Sequence, residues 1–284
     1  MSVTFQDIST NGVCLRVARA GDDNGKLVIL LHGFPDFWYG WREQIDPLVA
    51  AGFHVLIPNQ RGYDQSEKPH GVNAIILTAL RDDVIGLIGA LGRERAIIIG
   101  HDWGGAVGWH LATTRPEFVE KFIPINIPHP VVLPRGMVKN PTQLFRSWYI
   151  AFFQMRHLPE KALQTDDYTY MKLALQVSSE QPVFSEQETE AYEQSWQHPG
   201  ALTGMINWYR AIPLSLQSMA SNELVRVPTQ IIWGMNDRFL ARTLAKESLK
   251  QTVGGNGILV SDAGHWVHLE QPEIVNRHII AFIT

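Results

Sequence analysis

AIIIGHDWGGAVGW, residues 96 to 109, is an apolar run that stops at Gly100, turns through His101, Asp102 and Trp103, and resumes beyond Gly104 and Gly105. Gly100-x-Asp102-x-Gly104 has the spacing of a nucleophile elbow, where a strand turns sharply into a helix and flanking glycines leave room for a strained central residue. That central residue is usually Ser. Asp102 is therefore either a nucleophile of another kind or a charge set at a helix N-terminus, where the macrodipole favours it.

Around the elbow, residues 1 to 126 alternate short apolar runs with helical patterns. GVCLRVAR, KLVILLHG, FHVLIPN, RAIIIG and KFIPIN read as strands, and ILTALRDDVIGLIGAL as an amphipathic helix. That order predicts a mostly parallel sheet. The TNG between VTFQDIS and GVCLRVAR is a hairpin signal, so the sheet is expected to begin antiparallel. Residues from about 131 to 223 carry aromatic-rich helical stretches such as TQLFRSWYIAFFQM and LTGMINWYRAI and no strand pattern, which predicts an inserted helical cap. Alternation returns with TQIIWG and GILVSD and closes on the helix PEIVNRHIIAFI, with Pro272 at its first position.

With 45% hydrophobic and 18% charged residues over 284 positions, the chain has material for a large core and none of the composition of a disordered segment. Its 24 basic and 28 acidic residues give a net charge of −4 without a Lys/Arg cluster, which excludes nucleic acid as an expected partner. The lone Cys14 lies in an alternating strand pattern and has no partner in the chain, which suits a reducing compartment. MSVTFQDIST has neither a basic nor an apolar leader region, and the apolar stretches elsewhere fall short of a membrane span. A cytoplasmic location is expected, with no membrane partner.

Open α/β sheets bind ligands beyond the carboxyl ends of their strands. Four polar stretches follow strand runs: HGFPD, GHDWGG, GMNDRF and DAGHW. They supply an elbow residue (Asp102), an acid (Asp237) and a histidine (His265) in the chain order of the α/β-hydrolase fold. Asp237 alone reads as a turn residue and His265 alone as a loop histidine; their order and placement together favour a triad. A carboxylate nucleophile displaces a leaving group from an sp3 carbon and forms an alkyl ester, which water activated by His265 and oriented by Asp237 then cleaves. The second step needs an oxyanion hole, expected from the backbone N–H groups of Phe34 and Trp103. At the mouth of a helix, Asp102 is expected to stay ionised. No dinucleotide-type glycine loop is present, so no cofactor is expected. The 11 histidines form no metal pattern, because His265 and His268 have no ligand-like carboxylate cluster beside them in sequence.

LLHGFPDFWYGWREQI, RGYDQSEKP, GHDWGGAVGW and DAGHWVHLEQPEIVN closely resemble the α/β-hydrolase-fold epoxide hydrolases, and the likeness covers almost the whole chain. It is dense in the core and looser in the cap, where INWYRA carries it. The resemblance implies a cis Phe34–Pro35 bond and two cap tyrosines that donate to the epoxide oxygen. Tyr209 matches the second. Tyr149 is the candidate for the first, with Tyr168 and Tyr170 as alternatives in the same cap. An aromatic in a helix stripe is otherwise a packing residue.

Haloalkane dehalogenases share the triad and are the alternative. The Trp103 indole suits a halide site, whereas the Asn that many of them carry in HGNP is Phe34 here, and the position after KFIPI where others place the acid is Asn126. Fluoroacetate dehalogenases use arginines where this chain has Trp103 and Ala106, so a carboxylate substrate lacks its anchors. A non-catalytic ligand receptor on the same scaffold is a third reading.

The sequence thus predicts an α/β-hydrolase core over residues 1–130 and 224–284 with a helical cap over 131–223. The expected reaction converts a small uncharged epoxide and water to a vicinal diol in an apolar pocket lined in part by Phe34, Trp38, Trp103, Phe152 and Trp266. Detoxification and a step in a pathway are both compatible with it, as are a monomer and a homodimer. His32 is read as supporting the Phe34 loop, and His101 and His268 as exposed or lying behind the catalytic positions.

Overall fold

The turn Asn11-Gly12 opens the sheet: both residues have positive φ, 44° and 75°, as a two-residue hairpin requires. It joins β1 (Thr4–Thr10) to β2 (Val13–Ala20), which pair antiparallel from Thr4↔Arg19 to Thr10↔Val13. The computed structural model describes residues 3–219 and 224–284. Its remaining strands are β3 (Lys26–Leu31), β4 (Phe53–Pro58), β5 (Ala96–His101), β6 (Val119–Ile125), β7 (Gln230–Gly234) and β8 (Asn256–Val260). They form one eight-stranded sheet in the order β1-β2-β4-β3-β5-β6-β7-β8, antiparallel at β1-β2-β4 and parallel from β4 to β8. This is the α/β-hydrolase architecture.

Every residue of β4, β5 and β7 is buried, as expected of parallel strands covered on both faces. Alternate side chains feed two cores: Ile29, Leu31 and Ile98 enter one, Leu30, Ile97 and Ile99 the other. Each such side chain contributes about 1.5–3 kcal/mol on burial, so the central strands are the most firmly held part of the molecule. The helices Leu77–Ala90 and Pro272–Ile283 fall where the apolar periodicity puts them. The helix Arg42–Ala50, with Pro47 inside it, has too few apolar residues to announce itself in the sequence.

Between β6 and β7 the described residues contain helices and no strand, from Val132–Lys139 to Ile212–Met219. The predicted cap boundary at residue 223 lies outside the described residues. The long helix Leu158–Ser178 is interrupted at Thr165–Tyr168, where Asp166, Asp167 and Tyr168 take φ of 47°, 51° and 59°. These helices are fastened to the sheet side by hydrogen bonds from buried indoles: Trp196 Nε1 donates to Pro35 O at 2.6 Å and Trp208 Nε1 to Arg61 O at 2.9 Å. Gly204 approaches so closely that a Cβ there would lie 2.3 Å from Gly62 O, so only glycine permits this contact. No helix among the described residues is long and apolar enough to cross a membrane.

Candidate active site

β5 ends at His101, and the helix Asp102–Thr114 begins one residue later. Asp102 has φ 48°, a left-handed conformation that costs a non-glycine residue roughly 1–2 kcal/mol. The glycines make this turn sterically feasible. A Cβ on Gly104 would lie 2.1 Å from Leu31 O, and one on Gly33 would lie 2.4 Å from Asp102 Cβ. The elbow read from Gly100-x-Asp102-x-Gly104 is therefore present.

The Asp102 carboxylate is buried. Phe34 N–H donates to its Oδ1 at 3.0 Å, and the neighbouring Trp103 N–H also favours the charged carboxylate. The two oxyanion-hole candidates thus converge on one carboxylate, and the Phe34–Pro35 bond is cis. Burial pushes the Asp102 pKa above the usual carboxylate range, with His265 and the two N–H groups pulling the other way. The helix N-terminus does not hold it at an ordinary value, because the same elbow that aims the carboxylate at the helix also takes it out of water.

His265 stands on the loop after β8. Its Nε2 is 3.9 Å from Asp102 Oδ2, and its Nδ1 is 2.9 Å from Asp237 Oδ2. Burial alone would lower the His265 pKa, but the charge and hydrogen bond of Asp237, with Asp102 and Glu270, outweigh it and the net direction is upward. Asp237 is itself fixed by its own loop: its Oδ1 accepts from the N–H groups of Phe239 at 2.8 Å and Leu240 at 2.9 Å. Elbow, acid and histidine are brought together as the chain order predicts.

A cavity of about 530 Å³ opens above them, bordered by Asp102, His265, Phe34, Tyr149, Tyr209 and Phe239. The Tyr149 and Tyr209 rings lie 5.8 Å apart, edge to face. Burial and the nearby Asp102 charge raise both phenol pKa values, so both remain neutral hydrogen-bond donors. Of the alternatives, Tyr168 is buried elsewhere with its OH donating to Trp196 O at 3.4 Å, and Tyr170 stands exposed on the cavity rim.

Phe152 and Trp266 border the cavity, as expected. Trp38 does not. It begins the turn Trp38–Trp41, and its ring packs 5.0 Å from Phe5 of β1, because the chain after Pro35 runs back toward the sheet edge. The Trp103 side chain is also outside the cavity lining. It packs edge-on against Trp208 at 5.8 Å and Tyr209 at 5.2 Å. From outside the lining it is not placed to hold a halide in the cavity.

Several supporting residues escape the sequence reading. Asn126, fully buried with φ 46°, donates from Nδ2 to Asp237 Oδ2 at 2.5 Å and to Gly264 O at 3.2 Å, and accepts from Gly234 N–H at 2.9 Å. A polar residue directly after a strand is the available signal. Glu270 gathers the N–H groups of Gly264, Trp266, Glu180 and Gln181 and so shapes the His265 loop. His32 reaches the Phe34 loop through its Nδ1, 3.1 Å from Gly33 O, while its Nε2 accepts from Gln60 N–H at 3.0 Å, and burial lowers its pKa to about 4. His101 and His268 are both fully buried, not exposed. With Asp36 they bring ligand-type atoms within 4.8 Å of one another, the group among the described residues that could hold a metal, so a carboxylate does join these histidines in space. Sequence separation hides that grouping.

A profile of the alpha/beta hydrolase fold family matches residues 26–272. The chain is 49% identical to the AB hydrolase superfamily protein YfhM of Bacillus subtilis, over 99% of this chain and 98% of that one. It is 33% identical to mouse epoxide hydrolase 4, over 97% of this chain and 78% of that one. Among solved structures, the inhibitor complex of Bacillus megaterium epoxide hydrolase superimposes with a TM-score of 0.89 at 29% identity, covering 98% of this chain and 99% of that one. The chain therefore belongs to the α/β hydrolase fold family, and within it to the epoxide hydrolases, a class of hydrolytic enzymes.

Proposed function

We propose that this protein converts an epoxide to a vicinal diol through an alkyl ester on Asp102. The observation that carries the reading is the placement of Tyr149 and Tyr209 with Asp102 and His265 around one apolar cavity. An epoxide bound there has a nucleophile on its carbon side and two phenol donors for its oxygen.

Because Phe34 holds Oδ1, Oδ2 is the oxygen free to attack. It forms a C–O bond to an epoxide carbon as the ring C–O bond breaks, and the ring oxygen takes a proton from a tyrosine. The Asp102 charge raises both phenol pKa values. Ester formation removes that charge, so the phenols become stronger acids as the alkoxide develops.

In the second step His265 takes a proton from water, which attacks Asp102 Cγ. The developing negative charge falls on Oδ1, where the Phe34 N–H already points, with the Trp103 N–H next to the same carboxylate. The ester bond breaks, the product oxygen takes the proton from His265, and Asp102, left holding the second proton of the water, returns it to the tyrosinate, so that carboxylate and phenol are both regenerated. Imidazolium formation is supported by Asp237, whose position the Phe239, Leu240 and Asn126 donors hold.

A single turnover of styrene oxide in oxygen-18 water, with 1-bromobutane in parallel, tests this. Diol formation with label entering the Asp102 carboxylate and unlabelled oxygen passing to product supports the ester route. Alcohol and bromide from the haloalkane alone refute the assignment of the tyrosines. Binding without turnover of either compound favours a ligand receptor on this scaffold.

A further inference from the structure

We infer that the cap docks on an anionic lipid surface, with the mouth of the cavity facing the lipid. Trp148 and Tyr170 border the cavity and yet are 65% and 58% exposed, which makes them its rim. Close to Trp148 in the chain, Leu144 and Phe145 are exposed as well, the latter 77%, and so are Met155 and Leu158 on its other side. From Tyr170 it continues along one helix face through Leu173 and Val177, at spacings of three and four residues. Scattered apolar side chains on a surface are ordinary, but a set gathered around a cavity mouth marks an interaction site.

The charges choose the occupant. From residue 132 to 165, Arg135, Lys139, Arg156 and Lys161 are exposed, Lys139 near Glu247 of the helix Thr243–Leu249, and the only acidic residue within the stretch, Glu160, is paired with Arg210 at 2.6 Å. Asp166 and Asp167 follow at the helix interruption. The whole chain nevertheless carries −4. A second copy packing isologously on this face would bring these cations near one another. An anionic lipid surface attracts them while accepting Phe145, Trp148 and Leu144 at the headgroup boundary. An apolar substrate dissolved in the lipid would then enter the cavity without crossing water. The expectation of no membrane partner rested on the absence of a spanning segment, which leaves surface docking open.

The delivery of substrate rests on the epoxide hydrolase reading, whereas docking does not. Co-sedimentation of the full chain with phosphatidylcholine vesicles containing one quarter phosphatidylglycerol tests docking directly. Binding is expected, and it should weaken on pure phosphatidylcholine and at high salt. Lys139→Gln and Lys161→Gln should each lower the partition coefficient about fivefold, and Phe145→Ser should lower it further, with circular dichroism, melting and styrene oxide turnover in buffer unchanged. No binding of the wild type to anionic vesicles, or equal binding by Phe145→Ser, overturns the inference and leaves the epoxide reading intact. Self-association in sedimentation velocity that Phe145→Ser abolishes would assign the face to a second copy and also overturn it.

Discussion

Asn126→Ala would remove three hydrogen bonds and leave a strained backbone behind. The buried amide donates to the Asp237 carboxylate, a charge-assisted bond worth about 1.5–3 kcal/mol. Its Oδ1 accepts from Gly234 N–H, and leaving that donor unpaired in the core costs about 1–3 kcal/mol. Asn126 also has φ 46°, which alanine adopts at a penalty of roughly 1–2 kcal/mol. Even at their lower ends these amount to about 3.5 kcal/mol, a large part of the roughly 5–15 kcal/mol that holds a typical domain. Asn126→Gly loses the same hydrogen bonds without the conformational penalty and should recover about 1 kcal/mol. Urea unfolding followed by tryptophan fluorescence measures both variants. In single-turnover kinetics the hydrolytic step should slow roughly tenfold to a hundredfold, for about 1–3 kcal/mol lost in orienting Asp237, while alkylation, which does not use His265 as base, stays within a few-fold. Wild-type stability in Asn126→Ala, or equal slowing of both steps, would refute the positioning role.

Asp102→Asn should abolish turnover and stabilise the fold. The folded-state pKa of Asp102 is raised, so its contribution favours folding at pH below the ordinary carboxylate value and is lost as pH rises through the folded value. Removing the charge should therefore raise the melting temperature by about 2–4 °C for each kcal/mol recovered, with the gain larger at pH near 8 than at pH near 4, about the ordinary carboxylate value. Tyr149→Phe and Tyr209→Phe should each slow alkylation about 10²–10³-fold, as loss of an oxyanion donor does, and the double variant should leave no measurable ester by mass analysis of the Asp102 peptide. The hydrolytic step needs neutral His265, whose pKa is raised, so its rate should fall as pH drops through a value above the ordinary 6.5; Asp237→Asn should move that limb down by removing the raising charge. A pH profile of ester decay decides this, and an unmoved limb would assign it to another group.

The parts of the site that are legible in the sequence are those fixed by local sterics or by strand ends. Gly100 and Gly104 announce the elbow because a Cβ at either would run into backbone, at 2.6 Å from Gly104 C and 2.1 Å from Leu31 O respectively. Asp237 and His265 follow strands, and the sheet order delivers them to Asp102. Trp38 is close to Phe34 in sequence, which suggests a shared cavity, but the backbone after Pro35 carries it to Phe5 instead. Trp103 follows Asp102 directly, yet as the next residue of a helix it points to another side and meets Trp208 and Tyr209. Asn126 bonds to residues 108 to 138 positions away, and Glu270 reaches Glu180 across 90, distances that no periodicity encodes. Side-chain direction and long-range polar pairing are what the pattern of residue types leaves undetermined.

The site gathers the features that most oppose folding. Asp102 is a buried carboxylate in a left-handed conformation, and Asn126 repeats that conformation beside a second buried carboxylate, Asp237. Both follow strands, β5 and β6, whose last four residues are all buried, so the strain is opposed by the best-packed part of the sheet. Close packing also denies the elbow room to relax: Gly33 and Gly104 leave no space for Asp102 to shift without backbone collision. A carboxylate held in this way, acting as the proposed nucleophile, would have its Phe34 donor aligned before substrate arrives, and little reorganisation would remain for the reaction itself. The same reasoning ranks substitutions. Those that relieve strain or buried charge at Asp102 should stabilise and inactivate together, whereas those at Asn126, where the strained residue is also the hydrogen-bond hub, should destabilise and slow the second step together.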